Sequence, residues 1–547
     1  MIYDLEKALV NRQYKSEKDF FDNLFENEGR KYSESLDNIH FFEQDKFLNI
    51  IKEAKENYLK VAIVGDYDCD GITASTILAR VLSYLKINFT TILPNRFKDG
   101  YGLSPKLVDR AKSENAHIII TVDNGIVAFD SIDYAKKLGF KVIVTDHHTP
   151  LKDLPNADLI INPQLKKDNI KAENISGAFT ICVLCNHVIK NMCEENFSRQ
   201  RLIYEIFELA GISTFADQMN LTYENYKISK WLLSRMRNNH FVNLGINLLA
   251  QSNFSNLLKA DEDMLNFNII PVINATGRMS DATLSYNLLM TKEAGITTAK
   301  QIKEILLEND LRKTLSRKYA DILLKNLDRN VSINVCEVIA DKSDEKIDLS
   351  GIIGIIASNI VENTNKPTFV FYKNKNGILH GSGRSIPGFD LFKFINSKKN
   401  DFRALKMGGH SGAMGVAFDC DEKLDEFSKV VNSEKIEFEE SEEFFIRLTN
   451  RFDLDEINKL LNSYAPFGQG FEKPDFVLRS EIVEPYLFSY KHISFKIQNG
   501  NKVYPCMYFF NNEIEKVKES GKFDIYFSLC TNNNNVQLNV KKIEKIM

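Results

Sequence analysis

The chain of 547 residues carries 70 lysines and arginines against 74 aspartates and glutamates, a formal net charge of −4, so no global basic field advertises a nucleic-acid partner, although a local basic patch is compatible with that balance. With 44% hydrophobic and 26% charged residues it reads as an ordinary soluble globular protein, and its length predicts three or four domains. The N-terminus MIYDLEKALVNRQY has no apolar signal segment and no run approaches the ~18 apolar residues of a membrane span, so no membrane partner is expected. Eight cysteines form no disulfide framework, which fits a reducing cytoplasm.

Residues 1–57 are charged and amphipathic, with FFDNLFENE and FLNIIKEAKEN in helical period, and are expected to form a helical cap. From Leu59 to about Leu221 strands and helices alternate: VAIV, a helix to Lys86, FTTIL, the loop LPNRFKDGYGLS, the helix PKLVDRAKSEN, HIIITV, the helix SIDYAKKLG, KVIVT, and then ADLIINPQ as a further strand. Apolar strands alternating with helices specify an α/β fold with a parallel sheet and right-handed crossovers. Cys182 and Cys185 lie in the helix-like run ISGAFTICVLCNHVIK and are expected to be core thiols.

The stretch VAIVGDYDCDG organises the rest. A short apolar strand runs into Asp66, Asp68 and Asp70, which in extended backbone would share one face. Like charges so close repel, and a hard divalent cation between them relieves that. Two later strands also end in chemistry-bearing residues, Asp123 in TVDNG and Asp146, His147 and His148 in TDHH. Parallel neighbours bring these ends together, and the combined set can hold two metals with a carboxylate between them. No G-x-G-x-x-G follows the first strand and no P-loop lysine is present, which sets a nucleotide-binding reading aside.

DYDCDG, TVDNG and TDHH, in this order and spacing, resemble motifs I to III of the DHH phosphoesterase superfamily, and within it the RecJ family of single-strand-specific 5′ to 3′ exonucleases. LAGISTFADQMNL resembles the fourth motif. NRFKDGYGLS, PVINATGRMSDA, SGRSIPGFDL, KMGGHSGAMGVAF and YAPFGQGFEKPDF also resemble RecJ segments, so the likeness spans roughly residues 60–480. Cys69 stands where alanine is more usual, and Gln218 and Asn220 alter the neighbourhood of Asp217. The resemblance implies a DHH domain over 58–280, a helical linker over 281–330, an α/β DHHA1 domain over 331–437 and a small OB-like barrel over 438–547. It further implies two divalent cations, Mn²⁺ or Mg²⁺. Asp70, Asp123, His147 and Asp217 would hold one and Asp68 and Asp123 the other, with Asp66 close by and Asp123 bridging. His148 would contact the scissile phosphate and Asp146 would orient the histidines.

The linker read from its own pattern, LRKTLSRKYADILLKNL, is a connecting helix. Glycines in GSGRS and MGGHSGAMG permit close backbone approach, and Ser382, Arg384 and His410 lie within them. Arg96 in NRFKDGYG and Arg278 in INATGR lie in segments that resemble phosphate-contacting parts of RecJ, and this resemblance implies that they and the residues of the glycine-rich segments hold a phosphate through bidentate contacts. In the last unit Tyr486, Tyr490, Lys491, His492 and Lys496 interleave aromatic and basic character on short strands, which suits base stacking and phosphate tracking. The expected activity is degradation of single-stranded DNA to mononucleotides in repair and recombination, with single-strand-binding protein and a RecQ-type helicase as possible partners. Two other readings are a phosphodiesterase for short RNAs or cyclic dinucleotides, which the extra barrel disfavours, and a non-cutting DNA-binding scaffold, which the full acidic and histidine set disfavours.

Overall fold

Strand β1 (Val61–Val64) carries no polar side chain and is buried along its whole length, as a strand covered on both faces must be. It lies in a five-stranded sheet of order β2-β1-β3-β4-β5, with β2 at Phe89–Ile92, β3 at Ile118–Val122, β4 at Lys141–Thr145 and β5 at Leu159–Ile161. Every pairing is parallel, with Val64 opposite Thr121 and Val122 opposite Thr145. This is the parallel sheet that the strand–helix alternation predicts, and it puts the C-terminal ends of β1, β3 and β4 side by side. The computed structural model describes residues 39–165, 174–221, 223–239, 241–253, 260–328, 330–434, 436, 438, 445–448, 453–488, 492–499, 502–509, 514–519, 521–532 and 535–546. The expected helix in FFDNLFENE lies outside them.

Helix α1 (Gln44–Glu56) buries Phe47, Leu48, Ile51 and Ala54 along one face. Helix α2 (Cys69–Leu85) follows β1 and is buried almost throughout. Helices α3 (Pro105–Ser113) and α4 (Phe129–Lys137) pack Leu107, Val108, Ala111, Ile132 and Ala135 against the sheet residues Ala62, Val64, Ile119, Val142 and Val144. Helices α5 (Gly177–Met192) and α6 (Phe197–Ala216) pack on α2. Cys182 and Cys185 are fully buried in α5 as free core thiols.

Past helix α7 (Ile270–Met279), the 30-residue helix α8 (Ile296–Lys325) leads to a second sheet. That sheet has the order β6-β7-β8-β10-β9. Its strands are β6 (Asn334–Val338), β7 (Thr368–Lys373), β8 (Leu379–Arg384), β9 (Lys406–His410) and β10 (Ala413–Phe418), with helix α9 (Ile353–Thr364) between β6 and β7. Only β6 and β7 pair in parallel; the remaining pairings are antiparallel. Phe369, Phe371, Phe418 and Phe427 form an aromatic core on one face, and α9 with the end of α8 covers the other. The Tyr319 hydroxyl donates to Asp344 at 2.9 Å and accepts from the Asp341 amide at 2.9 Å, which fastens α8 to this domain. The glycine-rich GSGRS is strand rather than turn: the Phe371 and Phe369 rings fill the space where Cβ atoms at Gly381 and Gly383 would stand.

These elements make up one unit of the chain, 39–217 with 235–441; residues 218–234 and 442–547 belong to another. In the latter, β11 (Phe445–Leu448) pairs in parallel with β12 (Asp475–Phe488). Strands β12, β13 (His492–Asn499), β14 (Lys502–Tyr508), β16 (Asn535–Lys545) and β15 (Lys522–Asn532) run in that order, and a β12–β15 pairing closes them into a five-stranded barrel. Phe476, Phe495, Phe523, Ile525, Phe527 and Leu538 fill it. Outside, Tyr486, Val503 and Phe509 are exposed, and His492 meets the Phe509 ring edge-on. Lys496 pairs with Glu484, whereas Tyr490 and Lys491 lie outside the described residues. No described helix is long and apolar enough to cross a membrane.

Candidate active site

Asp66, Asp68 and Asp70 do not share one face of an extended strand. The strand ends at Val64, Asp68 is the extended N-cap residue of α2, accepting from the Gly71 amide at 3.1 Å, and Asp70 already stands in the first helical turn. The helix start splits the trio. Asp66 and Asp68 gather with Asp123, while Asp70 gathers with His147 and Asp217. Asp123 also reaches His147, and His147 Nε2 lies 3.2 Å from Asp123 Oδ1, 3.4 Å from Asp217 Oδ2 and 3.6 Å from Asp70 Oδ2. One carboxylate thus touches both groups, and it is the one just past the end of the central strand.

The protein holds these groups firmly. Asp70 accepts from the Gly177 and Ala178 amides at 2.8 and 2.7 Å, at the start of α5, and from the Ser213 hydroxyl on α6. Asp123 has φ +61°, a left-handed conformation that costs a non-glycine residue energy. A Cβ on Gly177 would stand 2.5 Å from Asp123 Oδ1, so only glycine fits there. Asp217 caps the C-terminus of α6. Gln164 and Asn162 donate side-chain N–H groups to the carbonyls of His147 and His148, fixing the backbone of the pair.

Asp146 is spent on structure: it accepts from the Ile126, His147 and His148 amides at 2.9, 2.7 and 3.1 Å and from His148 Nδ1 at 2.8 Å. Burial opposes a charge on Asp146, but the bond from His148 and those backbone amides outweigh it and hold the carboxyl below its ordinary range. Desolvation likewise opposes a charge on His148, and Asp146 outweighs that and pushes the imidazole up to about 9. This favours the imidazolium form of His148. Its Nε2 lies 3.2 Å from the Tyr101 hydroxyl.

The remaining carboxylates behave differently. Burial and the surrounding carboxylates push Asp66, Asp123 and Asp217 well above the ordinary range. Asp66 Oδ1, Asp123 Oδ1 and His147 Nε2 are buried without a hydrogen-bond partner among the described residues. Buried polar atoms almost always find partners, and three orphaned oxygen and nitrogen lone pairs converging at this spacing suit hard or borderline divalent cations. The residues present fit that group.

Beside this acidic cluster is a cationic one. Arg96 lies on the loop after β2, Arg278 on α7, Arg312 on α8, and Arg384 on β8. Among the described residues none of the four forms an ion pair with a carboxylate. Burial and the nearby Arg96, Arg312 and Arg384 bring Arg278 down to about 9, and burial lowers Arg312 and Arg384 as well. Arg384 donates to Ser382 Oγ at 3.0 Å and to its neighbour's carbonyl, Gly383 O, at 2.8 Å. A Cβ on Gly354 would stand 2.6 Å from the Arg384 guanidinium and 3.0 Å from Ser382 Oγ, so the first turn of α9 closes directly over both. His410 lies exposed at the end of β9, on the rung that runs through Ala413 to Arg384; no hydrogen bond among the described residues joins it to Ser382 or Arg384. Unlike Arg96, Arg278 and Arg384, Arg312 and the positioning groups Asn162 and Gln164 carry no signal in the sequence pattern, and Ser213 lies in LAGISTFADQMNL without being singled out there.

Three family models match this chain: the DHH family N-terminal domain at residues 60–214, the DHHA1 domain at 330–436 and the RecJ OB domain at 450–542. The single-stranded-DNA-specific exonuclease RecJ of Salmonella typhimurium is 30% identical over 473 residues, covering 83% of this chain and 81% of that protein. The chain belongs to the RecJ family. A crystal structure of an exonuclease RecJ bound to manganese shares 27% identity, with a TM-score of 0.60 over 72% of this chain and 94% of that one. The fold is also that of RecJ from Thermus thermophilus in complex with Mn²⁺, with a TM-score of 0.78 at 23% identity, covering 96% of this chain and 75% of the other. The RecJ family match accounts for the domain series of parallel-sheet DHH domain, helical linker, DHHA1 domain and closed barrel.

Proposed function

We propose that the protein degrades single-stranded DNA from its 5′ end to mononucleotides, as a phosphodiesterase dependent on two divalent cations, Mn²⁺ or Mg²⁺. The observation that carries this reading is the set of buried ligand atoms on Asp66, Asp123 and His147 that have no hydrogen-bond partner among the described residues, next to arginines that form no ion pair among those residues. Asp70, His147 and Asp217 would hold one cation, Asp66 and Asp68 the other, and Asp123 would bridge. Bound there, the cations would supply Lewis acidity that lowers the pKa of a nucleophilic water and offsets charge on the phosphate.

The chain's own groups do the remainder. Asp146 keeps the proton on His148 Nδ1 and holds the ring as an imidazolium, which leaves Nε2–H to donate to an oxygen of the scissile phosphate as charge develops there. Arg96, Arg278, Ser382 and Arg384 would take the 5′-terminal phosphate, whose extra charge a 5′ hydroxyl lacks, with His410 at the margin. The barrel would add base stacking through Tyr486 and His492. On this reading the protein works in the cytoplasm in DNA repair and recombination, alongside single-strand-binding protein and a RecQ-type helicase.

The test is incubation of purified protein with 3′-labelled single-stranded DNA, duplex DNA and RNA in Mn²⁺, Mg²⁺ or EDTA. Release of mononucleotides from single-stranded DNA with either metal and none in EDTA is expected. No degradation of any substrate with either metal would overturn the enzyme reading.

A further inference from the structure

Tyr67 stands between two candidate metal ligands, and its side chain turns towards the arginines. The Arg96 guanidinium carbon lies 4.2 Å from the centroid of the Tyr67 ring. The backbone on either side of Arg96 is fixed: the Asn95 amide donates to Asp99 at 2.9 Å, the Phe97 amide to Asn95 Oδ1 at 3.1 Å, and the Asn95 side chain to the Ser280 carbonyl at 2.9 Å. The Arg96 side chain has no such restraint. Its Nε is buried without a hydrogen-bond partner, and among the described residues no carboxylate pairs with it. The ring face of Tyr67 is what holds the guanidinium.

The backbone that carries this ring is itself fixed in place. A Cβ at Gly277, next to Arg278, would stand 2.0 Å from the Tyr67 carbonyl oxygen, and the Cys69 amide donates to Asn274 on α7 at 2.8 Å. The Tyr101 ring meets Tyr67 edge-on at 6.4 Å. The choice of an aromatic face has a chemical consequence. A carboxylate partner would occupy the in-plane N–H donors of Arg96 and cancel its charge. Contact with the ring face leaves the charge uncancelled and engages no carboxylate acceptor, so the N–H donors stay available for a phosphate.

We infer that Tyr67 is a positioning residue for 5′-end recognition, its ring face setting the plane in which Arg96 presents its donors to the terminal phosphate. The inference rests on the proposed reading of the arginine cluster, and the experiment separates the two. kcat/KM is measured in Mn²⁺ with 5′-phosphorylated and 5′-hydroxyl forms of one oligonucleotide. The proteins are the full-length wild type, Arg96→Ala, Tyr67→Phe, and a series with mono-, di- and trifluorinated phenylalanine at position 67. Fluorination drains charge from the ring face at nearly constant shape, so folding is not at stake. Tyr67→Phe should keep the preference for the phosphate, the fluorinated series should lose it stepwise by about tenfold in total, and the rate on the 5′-hydroxyl strand should stay flat. A flat preference across the series, or both substrates slowing together, overturns the role of Tyr67 while leaving the arginine cluster standing. A wild type with no preference, or one that Arg96→Ala does not reduce, overturns the end-recognition reading itself.

Discussion

The carboxylates and the arginines of this site are assembled in opposite ways. Asp66, Asp123 and Asp146 stand just beyond the ends of three neighbouring parallel strands, so the sheet alone brings them together. Arg96, Arg278, Arg312 and Arg384 come from a loop, two helices and a strand of a different sheet. The first cluster depends on local topology and the second on how two domains of one unit pack. Both are electrostatically incomplete, one crowded with negative charge and the other with positive, and each calls for a ligand of the other sign.

If the acidic half is the chemical engine, its bridge should be its most sensitive point. Asp123→Ala should lower single-turnover hydrolysis in Mn²⁺ by at least about 10³-fold with an unchanged far-UV circular dichroism spectrum; near-wild-type turnover would show that no bridge exists. A smaller loss is expected where a support rather than a ligand is removed. Ser213→Ala deprives Asp70 of its hydroxyl donor and should weaken Mn²⁺ affinity by about 10-fold or more, read by isothermal titration, with the rate at saturating metal much less affected.

The cationic half should respond through substrate choice instead. Arg384→Ala should reduce the preference for 5′-phosphorylated over 5′-hydroxyl strands by about tenfold, the value of one charge-assisted contact, and leave Mn²⁺ affinity intact. Blocking the 3′ end should change nothing. The smallest effect belongs to the barrel. Tyr486→Ala removes an exposed ring and should weaken single-stranded DNA binding by about fivefold, near the low end of one base stack, as measured by fluorescence anisotropy, with turnover on saturating substrate preserved.

The same contrast explains which parts of the site are legible in the sequence. Apolar runs ending in Asp or His at each of three strand–helix junctions betray a parallel sheet and its ligand set, because strand period and burial are local properties. The helix start at Cys69 is hidden from that reading: DYDCDG looks extended, yet the N-cap at Asp68 moves Asp70 to another metal group. Arg96, Arg278 and Arg384 are visible through the likeness of their segments to RecJ sequences. Arg312 is not, because the periodicity of LRKTLSRKYADILLKNL describes only a connecting helix, and its neighbour Arg278 is remote in sequence. Ser213, Asn162 and Gln164 act through side-chain hydrogen bonds to Asp70, His148 and His147, partners too far away in sequence for a local pattern to announce.

The most direct test of two cations bridged by one carboxylate is anomalous scattering from a crystal of the protein soaked in Mn²⁺ with a 5′-phosphorylated oligonucleotide. Two peaks are expected, one beside Asp70, His147 and Asp217 and one beside Asp66 and Asp68, with Asp123 contacting both and the terminal phosphate against Arg96 and Arg384. A single peak, or two peaks of which Asp123 contacts only one, would contradict the account.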